Sequence, residues 1–248
     1  MIHPVKLYQI SDCHLLASRQ RTAYGDINPY DTLQVVLRDI AQYDPDVVLV
    51  TGDISGDDSE ASYQHFVTLM SSFLPDTPWY VIPGNHDNNP FFDKYLASRF
   101  LPLENGVAVG PWMLWGIDTR GEGAKGQITA STLGELSSRV APISDAHHLL
   151  AIHHHPIATA SWMDKHYLDG ADQFLDWLAQ QSQIELVIHG HIHHAVEHKV
   201  DNKSIVSSPS TCWQWAMQKA FGLADDRPGY RQFTLHSDGR WQSEVRRC

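Results

Sequence analysis

Cysteine is scarce in this chain of 248 residues. Cys13, Cys212 and Cys248 make an odd count with no framework spacing. That excludes a scaffold stapled by disulfides and points to a reducing cytoplasm. Long apolar runs are also missing. The longest are the length of a strand, so no membrane-spanning helix is expected. Met1-Ile2-His3-Pro4-Val5-Lys6 leads straight into a strand-like segment. It has no basic region followed by an apolar stretch, so no signal peptide is expected. Positive charge is in deficit: 18 Lys and Arg face 29 Asp and Glu, a formal charge of −11. No basic groove for a polynucleotide is expected from such a balance. Repeats, low-complexity tracts and an obvious linker are absent too. One domain over residues 1–248 is expected, long enough to bury a good core.

The compositional outlier is histidine, with 16 residues, clustered at 147–155 and 189–198 behind apolar segments. The remaining pattern reads as alternating strands and helices in the front of the chain. Val5–Ile10, Asp46–Thr51, Trp79–Ile82, Met113–Ile117, Leu149–Ile152 and Glu185–Ile188 read as strands. Asp31–Tyr43, Ser59–Leu74 (with Ser59 as N-cap), Thr129–Val140 and Gly170–Gln181 read as helices. After Gly190 the chain becomes strand-rich, with Ala195–Val200, Ser204–Ser207, Tyr230–Leu235 and Trp241–Val245. Asp238-Gly239 suits a hairpin turn and Asp201-Asn202-Lys203 a weaker one. The expected fold class is α/β, with two packed sheets and helices outside.

Five short motifs follow five of these strands in order: Asp12-Cys13-His14, Gly52-Asp53, Gly84-Asn85-His86-Asp87, His153-His154-His155-Pro156 and Gly190-His191-Ile192-His193. Sites in α/β sheets form outside the carboxyl ends of strands, so these motifs should converge. They supply carboxylate, imidazole and amide donors in the numbers two adjacent metals need. Without thiolate, such a set suits Mn, Fe, Co or Zn at a hydrolytic centre rather than a structural zinc knot. Two close metals can clamp a phosphoryl group. Asp12 and His14, two apart, would point the same way in extended chain. Asp-x-His and Gly-Asp are weak alone and common in turns. The Gly84–Asp87 and Gly190–His193 motifs are more specific. Asp87 is placed to orient the His86 imidazole. Trp162, Trp213 and Trp215 are candidates for stacking a purine, with core or subunit-interface packing the favoured reading for any one of them.

The ordered set resembles the calcineurin-like metallophosphoesterases. Within them it looks most like the bacterial class III cyclic-nucleotide phosphodiesterases, and Tyr63–Phe66, Ser161–Asp164 and Pro209–Cys212 extend the likeness nearly end to end. The resemblance implies a four-layer αββα sandwich of mixed sheets. It implies Asp12, His14, Asp53 and His193 on one metal, and Asp53, Asn85, His154 and His191 on the other, with Asp53 bridging. The family pattern of His, any residue, Pro selects His154, leaving His153 to pack within the strand. It implies catalytic roles for Asp53 and His86, the latter protonating the departing 3′-oxygen after attack by a hydroxide held between the metals. His14, Asn85, His86, His155 and His193 would reach the substrate. The implied cofactors are two divalent or trivalent ions, Fe and/or Mn first, then Co, Zn or Mg. The implied reaction is hydrolysis of 3′,5′-cyclic AMP to 5′-AMP. The alternatives are another small phosphodiester or monoester (a 2′,3′-cyclic nucleotide or a glycerophosphodiester), or a non-catalytic binding module. No membrane partner is implied, and there is room for a homodimer. Gly56 stands where purple acid phosphatases carry a metal-bound Tyr, and Ile54–Asp58 lacks the Asp-Arg-Gly stretch of Ser/Thr phosphatases.

Overall fold

The computed structural model describes residues 3–248. Seven strands run parallel at the centre of two sheets, because their apolar runs can be buried on both faces. The first sheet has five strands, in the order Trp241–Arg247, Gly229–Leu235, Val5–Ile10, Val47–Thr51, Trp79–Ile82. The last three are parallel, and the first two add antiparallel. The second has six, in the order Glu197–Val200, Lys203–Ser207, Ile184–His189, His147–Ala151, Trp112–Gly116, Val107–Val109. Its four inner strands are parallel and its two edges antiparallel.

Side-chain alternation along each strand sorts the core into layers. Leu7, Val47, Leu49 and Ile82 meet Leu114, Leu149, Leu186 and Ile188 between the sheets. Tyr8, Ile10, Val48 and Val50 face the opposite way, onto Leu33, Val36, Leu37, Phe66 and Met70 of helices Pro29–Ile40 and Glu60–Phe73. On the far side, Leu150, Ile152, Val187 and Ile205 pack on Leu133, Leu136, Phe174 and Leu178 of helices Ala130–Val140 and Ala171–Gln180. The layers are therefore helix, sheet, sheet, helix. Among the described residues no helix is long and apolar enough to cross a membrane.

Local chemistry sets the boundaries. Ser59 caps its helix as expected, accepting the Ser62 N–H at 3.2 Å. The first helix starts at Pro29, earlier than the apolar spacing predicts, because Asn28 accepts the Tyr30 N–H at 2.9 Å and proline is preset for the first turn. Its last predicted residues, Ala41–Tyr43, form a separate 3₁₀ turn. Helix Pro90–Leu96 and strand Val107–Val109 were not expected, both being too short for a periodic signal. The Asp238-Gly239 turn joins the two antiparallel strands of the first sheet, with Gly239 at φ 83°.

One buried side chain ties the two sheets together where the motifs emerge. The Gln9 amide donates to Thr51 Oγ1 and to the carbonyl of His189, each at 2.9 Å. Thr51 and His189 end strands in different sheets, so this amide holds the two carboxyl edges in register.

Candidate metal centre

The motif residues leave their strands in an unusual backbone. Asp12, His14, Asp53, His191 and His193 all have positive φ, at 54°, 44°, 54°, 70° and 45°. Non-glycine residues avoid this region at a cost of about 1–2 kcal/mol each. Hydrogen bonds between the loops hold them there. Asp12 N–H donates to the Gly52 carbonyl and His14 N–H to the Asp53 carbonyl, both at 3.0 Å. The Ser210 hydroxyl donates to the Asp12 carbonyl at 2.8 Å, and Thr211 N–H to Ser11 at 3.1 Å. Asp12 and His14 do reach one spot, but through this left-handed turn rather than through the extended chain the spacing suggested. Gly52, at φ 94°, and Gly190 are required: an added Cβ would collide with His153 Nδ1 at the first and with Ser11 Oγ at the second.

Two groups of donors converge. Asp12, His14 and His193 offer atoms within 4.8 Å of one another, and so do His153, His154 and His191. Asp53 lies between the groups, with Oδ2 3.6 Å from His14 Nε2 and 3.4 Å from His153 Nε2. His14 Nε2 and His193 Nε2 face each other at 3.0 Å, and His193 Nε2 is 3.5 Å from Asp12 Oδ1. Three of the four candidate ligand rings have one nitrogen anchored, as metal-binding imidazoles do. His193 Nδ1–H donates to the Trp213 carbonyl at 2.9 Å, which leaves Nε2 free. His191 Nε2–H donates to the His166 carbonyl at 3.1 Å, which leaves Nδ1. His154 Nδ1 pairs with Thr119 Oγ1 at 2.8 Å. His154 Nε2 and Asn85 Oδ1 are buried with no partner among the described residues. Buried polar atoms are rarely left so. Hard and borderline donors, deprotonated and otherwise unspent, fit hydrolytic metal ions.

Residues 5–195 match the family model described as calcineurin-like phosphoesterase. The chain belongs to that family. The 3′,5′-cyclic adenosine monophosphate phosphodiesterase CpdA of Escherichia coli K12 is 32% identical over 98% of this chain and 90% of its own length. A 3′,5′-cyclic-nucleotide phosphodiesterase of Nostoc is 30% identical over 98% of this chain and 92% of its own. Among solved structures, a dimetal phosphatase from Danio rerio superposes with a TM-score of 0.71, covering 98% of this chain and 99% of that one. At 13% identity that likeness speaks for the fold.

Three histidine-motif neighbours of this phosphoesterase sit in places the sequence did not foretell. His153 does not merely pack within its strand. It is fully buried, with Nδ1 2.6 Å from the Thr51 carbonyl and Nε2 facing Asp53. His155 is also buried, stacked on His191 at 5.5 Å, with Nε2 3.6 Å from Asp164. It lies behind His191 and outside the lining of the cavity described below. Asp87 does not orient the His86 ring. Its carboxylate turns inward, accepting N–H bonds from Gly84 at 2.9 Å and Ile54 at 3.1 Å and the Tyr63 hydroxyl at 2.7 Å. It thus clamps the Gly84 turn to the loop that carries Asp53. His86 is left exposed, its N–H donating to Asp53 Oδ1 at 2.9 Å and its ring edge-on to His14 at 4.9 Å.

Sequence reading missed Asp118-Thr119-Arg120, a sixth polar group directly after a strand. Thr119 orients His154, and Arg120 donates to the Asp87 carbonyl at 2.9 Å. Its position after Trp112–Gly116 was the available signal. Trp213 and Trp215 cover two of the imidazoles, stacking on His14 at 5.1 Å and on His193 at 5.0 Å.

Electrostatics keep the donors in ligand form. Burial pushes the His14 pKa down to about 3, and holds those of His154 and His191 well below the ordinary range, so the rings are neutral with lone pairs available. Burial opposes ionisation of Asp53, but the facing His153 and His86 outweigh it and hold its carboxyl well below the usual value. His153 is the converse: burial lowers it, Asp53 outweighs burial, and its pKa rises to about 9. A cavity of about 660 Å³ opens over the centre, lined there by His14, Asp53, Asn85, His86, His191 and His193.

Proposed function

We propose that this phosphoesterase hydrolyses a 3′,5′-cyclic nucleotide, cyclic AMP, to the 5′-monophosphate, using two metal ions. The observation that carries this is the pair of donor groups joined through Asp53, with the His86 imidazole exposed beside them on an open cavity. The near full-length likeness to a cyclic AMP phosphodiesterase supports the choice of substrate. Asp12, His14, Asp53 and His193 would hold one ion, and Asp53, Asn85, His154 and His191 the other. Iron and/or manganese suit this set of imidazole, carboxylate and amide donors. Bound ions would supply Lewis acidity toward a phosphoryl oxygen and make water a competent nucleophile at neutral pH.

The chain's own residues do the rest. Asp53 is fixed between the donor groups by the His86 N–H and the facing His153 ring, so its carboxylate does not have to be ordered on binding. Asp87, clamped by three backbone and side-chain donors, keeps Asn85 and His86 in place relative to Asp53. His86, with His14, Asn85 and His193, lines the cavity and meets the phosphodiester. His86 then donates a proton to the departing 3′-oxygen. The three free cysteines fit work in the reducing cytoplasm.

The test is a turnover panel on metal-loaded protein: cyclic AMP, cyclic GMP, 2′,3′-cyclic AMP, glycerophosphodiesters and p-nitrophenyl esters, each with Mn, Fe, Co, Zn and Mg. Highest kcat/KM on cyclic AMP is expected. A clear preference for a glycerophosphodiester or a monoester would replace the substrate, and no turnover of any ester would leave only a binding role.

A further inference from the structure

Three segments distant in sequence meet on one side of the cavity. The loop after the first strand brings Tyr24, the 3₁₀ turn Trp162–His166 brings Trp162, and the hairpin that pairs Gln214–Trp215 with Leu223–Ala224 carries Phe221. The segments are tied to one another. Trp162 N–H donates to the Gln218 carbonyl and Ala216 N–H to the Gly222 carbonyl, each at 2.9 Å. The ring of Trp215 lies at the centre, 5.1 Å from Tyr24, 5.3 Å from Trp162 and 5.4 Å from Phe221.

The five aromatics divide into two kinds. Trp213 and Trp215 are buried, and each has a face committed to a metal-side imidazole. Tyr24 and Phe221 are 50% and 55% exposed, and Trp162 is partly so. Leaving that much ring surface in water forgoes burial worth roughly 25 cal/mol per Å². The exposed rings line the same cavity as the metal centre. Its charge is reversed relative to the whole chain. Arg21 and Lys165 line it beside the rings, and Asp53, itself turned to His14 and His153, is the one carboxylate among the described lining residues. The Trp162 indole N–H has no partner among the described residues.

We propose that Tyr24, Trp162 and Phe221 form a nucleobase subsite, resting on the cyclic-nucleotide reading above. The base of the nucleotide stacks on these rings while its phosphoryl group lies at the metal centre, with Arg21 and Lys165 favouring the anion. A flat heteroaromatic ring suits exposed aromatic faces, and stacking holds any base without reading its sequence edge. Arg21 and Lys165 in the lining, together with the metals the centre would hold, fit a phosphate-bearing ligand better than a plain apolar one.

The test compares 5′-AMP with ribose 5-phosphate, which lacks the base, by calorimetry on metal-loaded protein. Wild type should bind 5′-AMP roughly tenfold or more tightly than ribose 5-phosphate. Tyr24→Leu and Phe221→Leu, which keep apolar cover but remove the ring, should erase most of that ratio without changing ribose 5-phosphate binding or metal content. Equal binding of the two ligands by wild type would overturn the subsite. So would an unchanged ratio in both variants, and a dimer that dissociates in them with the ratio intact would make the rings a subunit interface. The two readings fail separately. A protein that prefers 5′-AMP but turns over no cyclic nucleotide would overturn the catalytic reading and keep the subsite. One that turns over cyclic AMP but binds both ligands equally would do the reverse.

Discussion

At the scale of single residues, His86 is the sharpest case. Its backbone is pinned to Asp53 while its ring stands exposed in the cavity, beside the metal donors but not anchored like them. A proton donor matters most for a poor leaving group, and general acid catalysis is worth roughly 10²–10⁴ in rate. His86→Ala should keep its metal content, lose activity on cyclic AMP by about that factor, and lose far less on bis(p-nitrophenyl) phosphate, whose phenolate leaves unaided. Equal losses on both esters would mean that His86 positions the phosphate instead. The donors themselves were legible in the sequence because each motif follows a strand, and strand ends of parallel sheets share one edge. The partners of those donors were not. Thr119, Asp87 and His153 act through contacts made by distant loops, and nothing in local spacing reports that the Asp87 carboxylate turns toward Ile54 and Tyr63 rather than toward His86. The left-handed turns at Asp12 and His193 were hidden for the same reason: they are held by other loops, not by local propensity.

At the scale of elements, the long amphipathic helices and buried strands were readable from periodicity, and Ser59 from its capping chemistry. The short helix Pro90–Leu96 was not, since seven residues carry too few turns to show a period. Two glycines make the contrast between helix and site loop measurable. Gly134 lies exposed within helix Ala130–Val140, and an added methyl would meet nothing within 4 Å. Gly134→Ala should stabilise by about 1 kcal/mol, raising Tm by roughly 2–4 °C. Gly190→Ala drives a methyl into Ser11 and toward Asp12, and should lower both Tm and metal content. Thermal scans with elemental analysis decide; a neutral Gly190→Ala would mean that the loop is slack.

Strand His147–Ala151 offers a pH-dependent test away from the metals. His148 accepts the Trp115 indole N–H at 2.8 Å and faces the Ile143 carbonyl with its other nitrogen, so the ring is neutral in place. Burial holds its pKa below the ordinary 6.5. The unfolded chain takes up a proton here near pH 6.5 and the folded chain does not. The contribution is therefore complete at neutral pH and is lost as pH falls below about 6.5. NMR of the imidazole should show His148 still neutral when exposed histidines have titrated. Protonation alongside them would contradict the buried placement.

At the scale of the whole molecule, two sheets tied by Gln9 bring donors from five strand ends to one edge, and Asp53 stands where the two donor groups meet. Layer order follows from alternation along the strands; the convergence follows from their parallel direction. If that arrangement is the centre of the protein's chemistry, neither donor group suffices alone. The most direct measurement is stepwise titration of metal into stripped protein, reading bound metal by elemental analysis and cyclic AMP turnover at each step. The structure predicts saturation near two equivalents, with turnover rising mainly as the second ion binds and Asp53→Ala losing both. Saturation at one equivalent with full activity would contradict it.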